Sequence, residues 1–174
     1  LHPDKDQATL LRGFAAALPR LPNESYLVIM GDGRLKDALH ELTSDLGISS
    51  HVFFLGQVPG ALQYLRAFDA FALTSDHEPF GMVLLEAMAA GLPLLSSASG
   101  GAIEVVEGVG ILFAQGELEA LAEALVCLNR LTDQQRSECV KAMLERLQNN
   151  FSDAVVRAQF WQLPMLKSAV ESRT

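Results

Sequence analysis

The 174-residue chain is 49% hydrophobic and 20% charged, the composition of a globular domain with a sizeable core. A formal net charge of −8 leaves no basic stripe to neutralise a phosphate backbone, which argues against a nucleic-acid binder. A phosphorylated small ligand is still compatible with an acidic chain, because helix-terminal amides can hold a diphosphate.

Cys127 and Cys139 lack metal-type spacing and are expected to be free thiols, buried or half-buried, in a reducing compartment. No apolar run approaches the ~18 residues of a membrane span, and no signal peptide is recognisable. The chain opens on Leu1 and "HPDKDQATLLRGF", which reads as the middle of a longer gene product. The cytoplasm is the expected location.

In chain order, Gln7–Leu18 carries apolar residues at 10, 11, 14, 15 and 18, a helical stripe. "YLVIM" (26–30) is an apolar run ending in the turn "GDG", and Arg34–Leu46 returns to helical period before Gly47. "HVFFLG" (51–56) is strand-like, Ala61–Phe68 a short helix and "AFALT" (70–74) a third strand. Met82–Ala90 is a helix closed by Gly91 and Pro93. Residues 92–97 and 110–113 read as two more strands, with a short helix over Ala102–Glu107 between them. From Glu117 the chain is helical: Glu117–Asn129, Asp133–Asn150, then Ser152 towards the end, with Ser152 or Asp153 as cap.

Short apolar strands alternating with helices predict an α/β fold: a doubly wound parallel sheet in three α/β/α layers, with extra C-terminal helices. No internal repeat or low-complexity linker interrupts it, so residues 1–174 read as one domain. Ligands of such sheets sit beyond the carboxyl ends of the strands. The candidate site therefore lies in the turns after residues 30, 55, 74, 97 and 113.

One of those turns carries a carboxylate pair, in "TSDHEPFGMVLLEAMAAGLPLL" (74–95). Pro79 biases Glu78 away from helical geometry and into the turn. Gly81 removes a side chain at the helix start, which is expected to leave the amides of Phe80, Gly81 and Met82 open to an anion. Glu86 lies little more than a turn inside the helix. Continuous helix would set the two carboxylates about 80° apart, whereas the turn lets Glu78 swing over the helix mouth. One ligand can then meet both: hydroxyls at Glu78, phosphate at the amides, a diol at Glu86.

This stretch resembles the signature of the retaining GT-B glycosyltransferases of glycosyltransferase family 4, a Glu, seven residues and a second Glu. "EPFG" and "EAMAAGLP" match closely, and "DKDQATLLRGF", "YLVIMGDGRLKDAL", "HVFFLGQV", "SGGAIEVV" and "GILF" follow in the family's order. The likeness covers roughly residues 2–160.

The resemblance implies that the chain is the Rossmann-like, C-terminal, nucleotide-sugar-binding half of a GT-B fold. Its N-terminal acceptor domain and first strand, with an Arg usual before the first loop, are then absent from the chain. By the same resemblance Glu78 lies by the donor sugar and Glu86 on the ribose. The amides of Phe80, Gly81 and Met82 meet sugar and phosphate, and Lys5 meets the diphosphate. Gly56, Gln57 and Val58 line the base, and Gly100 and Gly101 lie near the phosphates. "GDG" (31–33) is a weak signal by itself, His77 reads as a loop histidine, Phe80 as a plug beneath the turn, and Phe160 and Trp161 as packing residues.

The implied reaction transfers a sugar from a nucleotide-diphosphate donor, a UDP-sugar before a GDP-sugar, to a saccharide or lipid-linked acceptor in cell-envelope polysaccharide or lipopolysaccharide synthesis. The site's acids form no Asp-rich triad, so metal-independent chemistry without a cofactor is expected. The isolated domain is expected to be inactive, and peripheral membrane association belongs to the full-length protein. Two rivals share the fold: a GT-B nucleotide-sugar epimerase and a non-catalytic nucleotide-sugar-binding module.

Overall fold

The computed structural model describes residues 1–164. Five parallel strands, β1 (Leu27–Met30), β2 (Val52–Gly56), β3 (Phe71–Leu73), β4 (Leu94–Ser97) and β5 (Ile111–Phe113), alternate with helices as the sequence pattern requires. The helices are α1 (Gln7–Ala17), α2 (Lys36–Asp45), α3 (Met82–Ala89), α4 (Gly101–Val106), α5 (Leu118–Asn129), α6 (Asp133–Phe151) and α7 (Asp153–Trp161). The crossover expected as a helix over Ala61–Phe68 is a 3-10 helix, Ala61–Ala67. It spans seven residues and has no side-chain cap.

The strands form an α/β/α arrangement with one departure from a single continuous sheet. Backbone pairing joins β1 to β2 and, separately, β3 to β4 to β5. The first six residues bridge the two blocks at their carboxyl ends. The Leu1 amino group donates to the Asp32 carbonyl just after β1. Thr74, just after β3, donates its hydroxyl to the carbonyls of Lys5 (3.2 Å) and Asp6 (2.9 Å).

Both faces of the larger block are covered. Leu94 packs with Leu84, Met88, Val105, Val106 and Met143, whereas its neighbour Leu95 packs with Phe113, Leu121 and Leu128. Alternation along one strand thus divides the core between α3, α4 and α6 on one side and α5 on the other. The smaller block has its own core of Leu11, Phe14, Ile29, Leu39, Ile48 and Val52 under α1 and α2. Helices α1 and α5 join the two units at Ala17, Ala122 and Val126. Gly13 permits their close approach, since a Cβ there would come within 2.4 Å of Leu121 Cδ2.

Helix ends follow the local chemistry. Asp6, at φ +40°, caps α1 by accepting from the Thr9 amide at 3.2 Å. Thr132 and Gln135 form a reciprocal capping box on α6. Ser152 occupies the N-cap position of α7, but its hydroxyl makes no cap hydrogen bond.

Several expectations are corrected at the surface. Cys127 is exposed, and only Cys139 is half-buried, its Sγ 3.4 Å from the Val109 carbonyl. Burial pushes the Cys139 thiol up, against the opposing pull of Arg136. Phe160 and Trp161 are exposed and pack edge-on against each other at 5.4 Å, because α7 meets α6 but contributes no buried residue. The continuation of the last helix expected beyond residue 164 lies outside the described residues. Among the described residues no helix is long and apolar enough to cross a membrane.

Candidate donor site

The turn after β3 holds Glu78 in a position the sequence pattern does not convey. Instead of swinging over the mouth of α3, the side chain is buried, 7% exposed, and both oxygens are engaged. Oε1 accepts from the Gly81 amide at 3.0 Å. Oε2 accepts from Lys5 Nζ at 2.6 Å and from Ser75 Oγ at 3.3 Å. A buried carboxylate must be compensated in this way, since an unpaired one would lose its charge.

The electrostatics follow from those partners. Burial acts to raise the Glu78 carboxyl, but the Lys5 ammonium, the Ser75 hydroxyl and the Gly81 N–H together outweigh it and hold the group below its ordinary value of 4.5. Glu78 is therefore an anion at neutral pH.

The Gly81 expectation is corrected by the same geometry. Its N–H serves the Glu78 carboxylate and is not open to a ligand. Gly81 sits at φ +93° as the N-cap of α3, and this left-handed turn aims its amide back at the carboxylate. The amides of Phe80 and Met82 accept no such assignment: among the described residues neither has a backbone or side-chain acceptor outside its own helix. They remain available at the positive end of α3. The Phe80 ring is 39% exposed and meets Phe151 edge-on at 6.0 Å, so it does not plug the core beneath the turn.

Lys5 reaches the site from a 3-10 turn, Pro3–Lys5, that is pinned to the β3 turn by three contacts. Two are the Thr74 hydrogen bonds, and the third is the Asp76 amide donating to the Asp4 carbonyl at 2.9 Å. Asp76 in turn accepts from Gln115 Nε2 at 2.8 Å, which brings in the turn after β5. The Lys5 side chain is 42% exposed. An ammonium has three N–H donors, so donors remain beyond the one that meets Glu78.

Gly100 and Gly101 close the site from the β4 side. The Gly101 amide donates to the Glu78 carbonyl at 2.8 Å. A Cβ at Gly100, which sits at φ +48°, would fall 2.2 Å from that carbonyl oxygen, and one at Gly101 would fall 2.6 Å from Phe80 Cα. Both glycines are thus required by close backbone approach to the Glu78 turn.

Glu86 is half-buried on α3 and, among the described residues, has neither an ion-pair nor a side-chain hydrogen-bond partner. Gly56, Gln57 and Val58 lie at the carboxyl end of β2, where the Gly56 carbonyl accepts from the Gly31 amide at 2.7 Å. Among the described residues no hydrogen bond links them to the Glu78 cluster. His77 is exposed in the turn.

Sequence reasoning missed the buried serines. Ser97 Oγ and Ser99 Oγ each donate to the Ser75 carbonyl at 2.7 Å, and Ser75, Ser96, Ser97 and Ser99 are all buried. The available signal was "LLSSAS", polar residues closing an apolar strand whose four residues are all buried. Among the described residues no three His, Cys, Asp or Glu side chains converge on a common point. A concave region of about 560 Å³ along α7, lined by Val156, Arg157, Phe160 and Trp161, contains none of the site residues. The candidate site lies at the carboxyl ends of the strands.

Comparison with known proteins agrees with this architecture. Residues 1–145 match the family model described as "Glycosyl transferases group 1", and the chain belongs to that family. Its fold is one Rossmann-like half of the GT-B glycosyltransferase architecture.

Among individual relatives, the chain is 39% identical over 111 residues to the lipopolysaccharide core biosynthesis glycosyltransferase LpsE of Rhizobium meliloti (strain 1021), covering 63% of this chain and 32% of LpsE. LpsD of the same organism is 31% identical over 158 residues, covering 87% of this chain and 45% of LpsD. The crystal structure of Anabaena Alr3699/HepE in complex with UDP superposes with a TM-score of 0.82 at 30% identity, covering 97% of this chain and 46% of HepE. The chain spans less than half the length of these relatives.

Proposed function

We propose that this chain is the donor-binding domain of a retaining glycosyltransferase that uses a nucleotide-diphosphate sugar. The observation that carries the reading is the Lys5–Glu78 pair, set beside the amides of Phe80 and Met82 at the start of α3, the helix that carries Glu86. A cation and helix-terminal amides suit a diphosphate, and carboxylate acceptors suit the hydroxyls of a sugar and a ribose.

Breaking the glycosidic bond places negative charge on the diphosphate. The remaining Lys5 donors and the Phe80 and Met82 amides stabilise that charge, fixed in place before reaction. Glu78, anionic and held at both oxygens, accepts from the sugar hydroxyls and supports positive charge at the anomeric carbon. Glu86 accepts from the ribose diol, Gly56–Val58 border the base, and Gly100 and Gly101 keep side chains away from the phosphates. In this reading Lys5 and the amides do the work of a metal, and no cofactor takes part.

A UDP-sugar is the favoured donor, in keeping with the HepE complexes with UDP and UDP-glucose at 30% and 29% identity. The acceptor then binds a further domain of the parent protein, and the isolated chain transfers no sugar. The LpsE and LpsD likenesses favour an acceptor in lipopolysaccharide assembly. The same reading puts the parent protein in the cytoplasm, peripheral to the membrane.

Calorimetric titration of the chain with UDP, GDP and ADP, in the presence of a chelator, tests the proposal. One nucleotide should bind, and Glu86→Ala should weaken it about tenfold, the loss expected for hydrogen bonds to a charged acceptor. Absence of binding by all three, or binding that Glu86→Ala leaves unchanged, overturns it. A non-catalytic binding module would give the same titration but no sugar transfer by the parent protein, and an epimerase would be revealed by its product.

A further inference from the structure

Three serines outside the glutamate motif converge beneath Glu78. Ser75 Oγ donates to Glu78 Oε2 at 3.3 Å, and the Ser75 carbonyl accepts from Ser97 Oγ and Ser99 Oγ, each at 2.7 Å. Ser75 is 0% exposed, Ser97 1% and Ser99 5%. Two hydroxyls on one carbonyl occupy both of its lone pairs and fix the plane of that peptide. That steadies the backbone of Ser75, from which its side chain reaches Oε2.

A purely structural account would have the serines satisfy only one another. The Ser75 hydroxyl, however, is spent on a carboxylate that already has an ammonium and an amide. Apolar packing at the end of a buried strand would be served equally by alanine. The arrangement instead holds Oε2 from two directions while Gly81 holds Oε1, which leaves the carboxylate one orientation. A carboxylate has about four acceptor sites, and three are taken here. The position left for a sugar hydroxyl is therefore on Oε1, and its direction depends on how Lys5 and Ser75 hold Oε2.

We propose that Ser75, backed by Ser97 and Ser99, is a positioning residue that aims the Glu78 carboxylate at the sugar of the donor. The inference rests on the reading of Glu78 as the sugar-facing group. The readout is the sugar increment, the affinity of a nucleotide-diphosphate sugar relative to the nucleotide diphosphate alone. It is measured on the 174-residue chain with UDP and UDP-glucose and with GDP and GDP-mannose.

Ser75→Ala should weaken the sugar nucleotide about tenfold and leave the nucleotide diphosphate within about twofold. Ser75→Thr, which keeps the hydroxyl, should restore the increment. Ser97→Ala and Ser99→Ala each leave one hydroxyl on the carbonyl and should show a selective loss of about threefold. Unchanged nucleotide affinity certifies that each variant is folded.

An intact increment in Ser75→Ala overturns the proposal, as does an equal loss for nucleotide and sugar nucleotide. A wild-type chain that binds the nucleotide but gains nothing from the sugar removes this inference and spares the nucleotide site. A wild-type chain that binds neither nucleotide overturns the proposed function and this inference together.

Discussion

Lys5 Nζ and Glu78 Oε2, 73 residues apart in sequence, meet at 2.6 Å with the carboxylate buried and the ammonium half in solvent. The contact ties the first turn of the chain to the turn after β3. It also supplies the charge that lets Glu78 stay ionised under cover. The asymmetry matters: the carboxylate depends on the pair, whereas the lysine keeps donors for a second anion.

The depressed Glu78 carboxyl makes part of the stability pH-dependent. Its folded value lies below the ordinary 4.5, so the stabilisation is fully present above that pH and is lost as pH falls through the folded value. Glu78→Gln removes the titration. Wild type should exceed the variant by about 1 kcal/mol near neutrality, a modest figure because water screens the lysine. The gap should close below the ordinary value. Urea unfolding of both proteins across that range checks it, and a gap that widens in acid contradicts the assignment.

Gly100→Ala places a methyl carbon 2.2 Å from the Glu78 carbonyl oxygen at a left-handed backbone position. The clash is with backbone, which cannot rotate away. A destabilisation of about 2–4 kcal/mol is expected, the range for a strained position with a hard contact. Nucleotide affinity should fall as well, since the Glu78 turn must move to relieve the contact. A variant as stable as wild type in denaturant would show that the approach is looser than described.

Met143, fully buried on α6, packs into the core shared with α3, the helix that carries Glu86. Met143→Ala should cost about 2–5 kcal/mol through lost burial and the cavity left behind. Its effect on nucleotide binding should be small in the temperature range where the variant remains folded. Thermal unfolding followed by titration below the transition separates the two effects.

Much of this molecule was legible in one dimension. The alternation of short apolar runs with helical stripes located all five strands and the helices within a few residues, because burial on both faces of a parallel sheet demands that pattern. The Glu78–Glu86 spacing and its flanking "EPFG" and "EAMAAGLP" pointed to the family to which the chain belongs. Gly100 and Gly101 were expected near the donor phosphates, and their close packing against the Glu78 turn was not foreseen. Periodicity failed where no period exists: the 3-10 crossover at Ala61–Ala67, the outward-facing Phe160 and Trp161, and the separation of the strands into two paired blocks.

The sequence by itself determined the layers of this protein, the turn that carries its two glutamates and the residue types at the sheet's carboxyl edge. Only the tertiary structure decided that Gly81 turns its amide to Glu78 instead of to a ligand, that Lys5 closes on the same carboxylate, and that Ser75, Ser97 and Ser99 share one carbonyl beneath it. Local patterns arise from the periodic exposure of neighbouring residues. A buried polar cluster is assembled from turns 20 to 70 residues apart, roughly, and each group's orientation follows from the need of every enclosed donor and acceptor to find a partner.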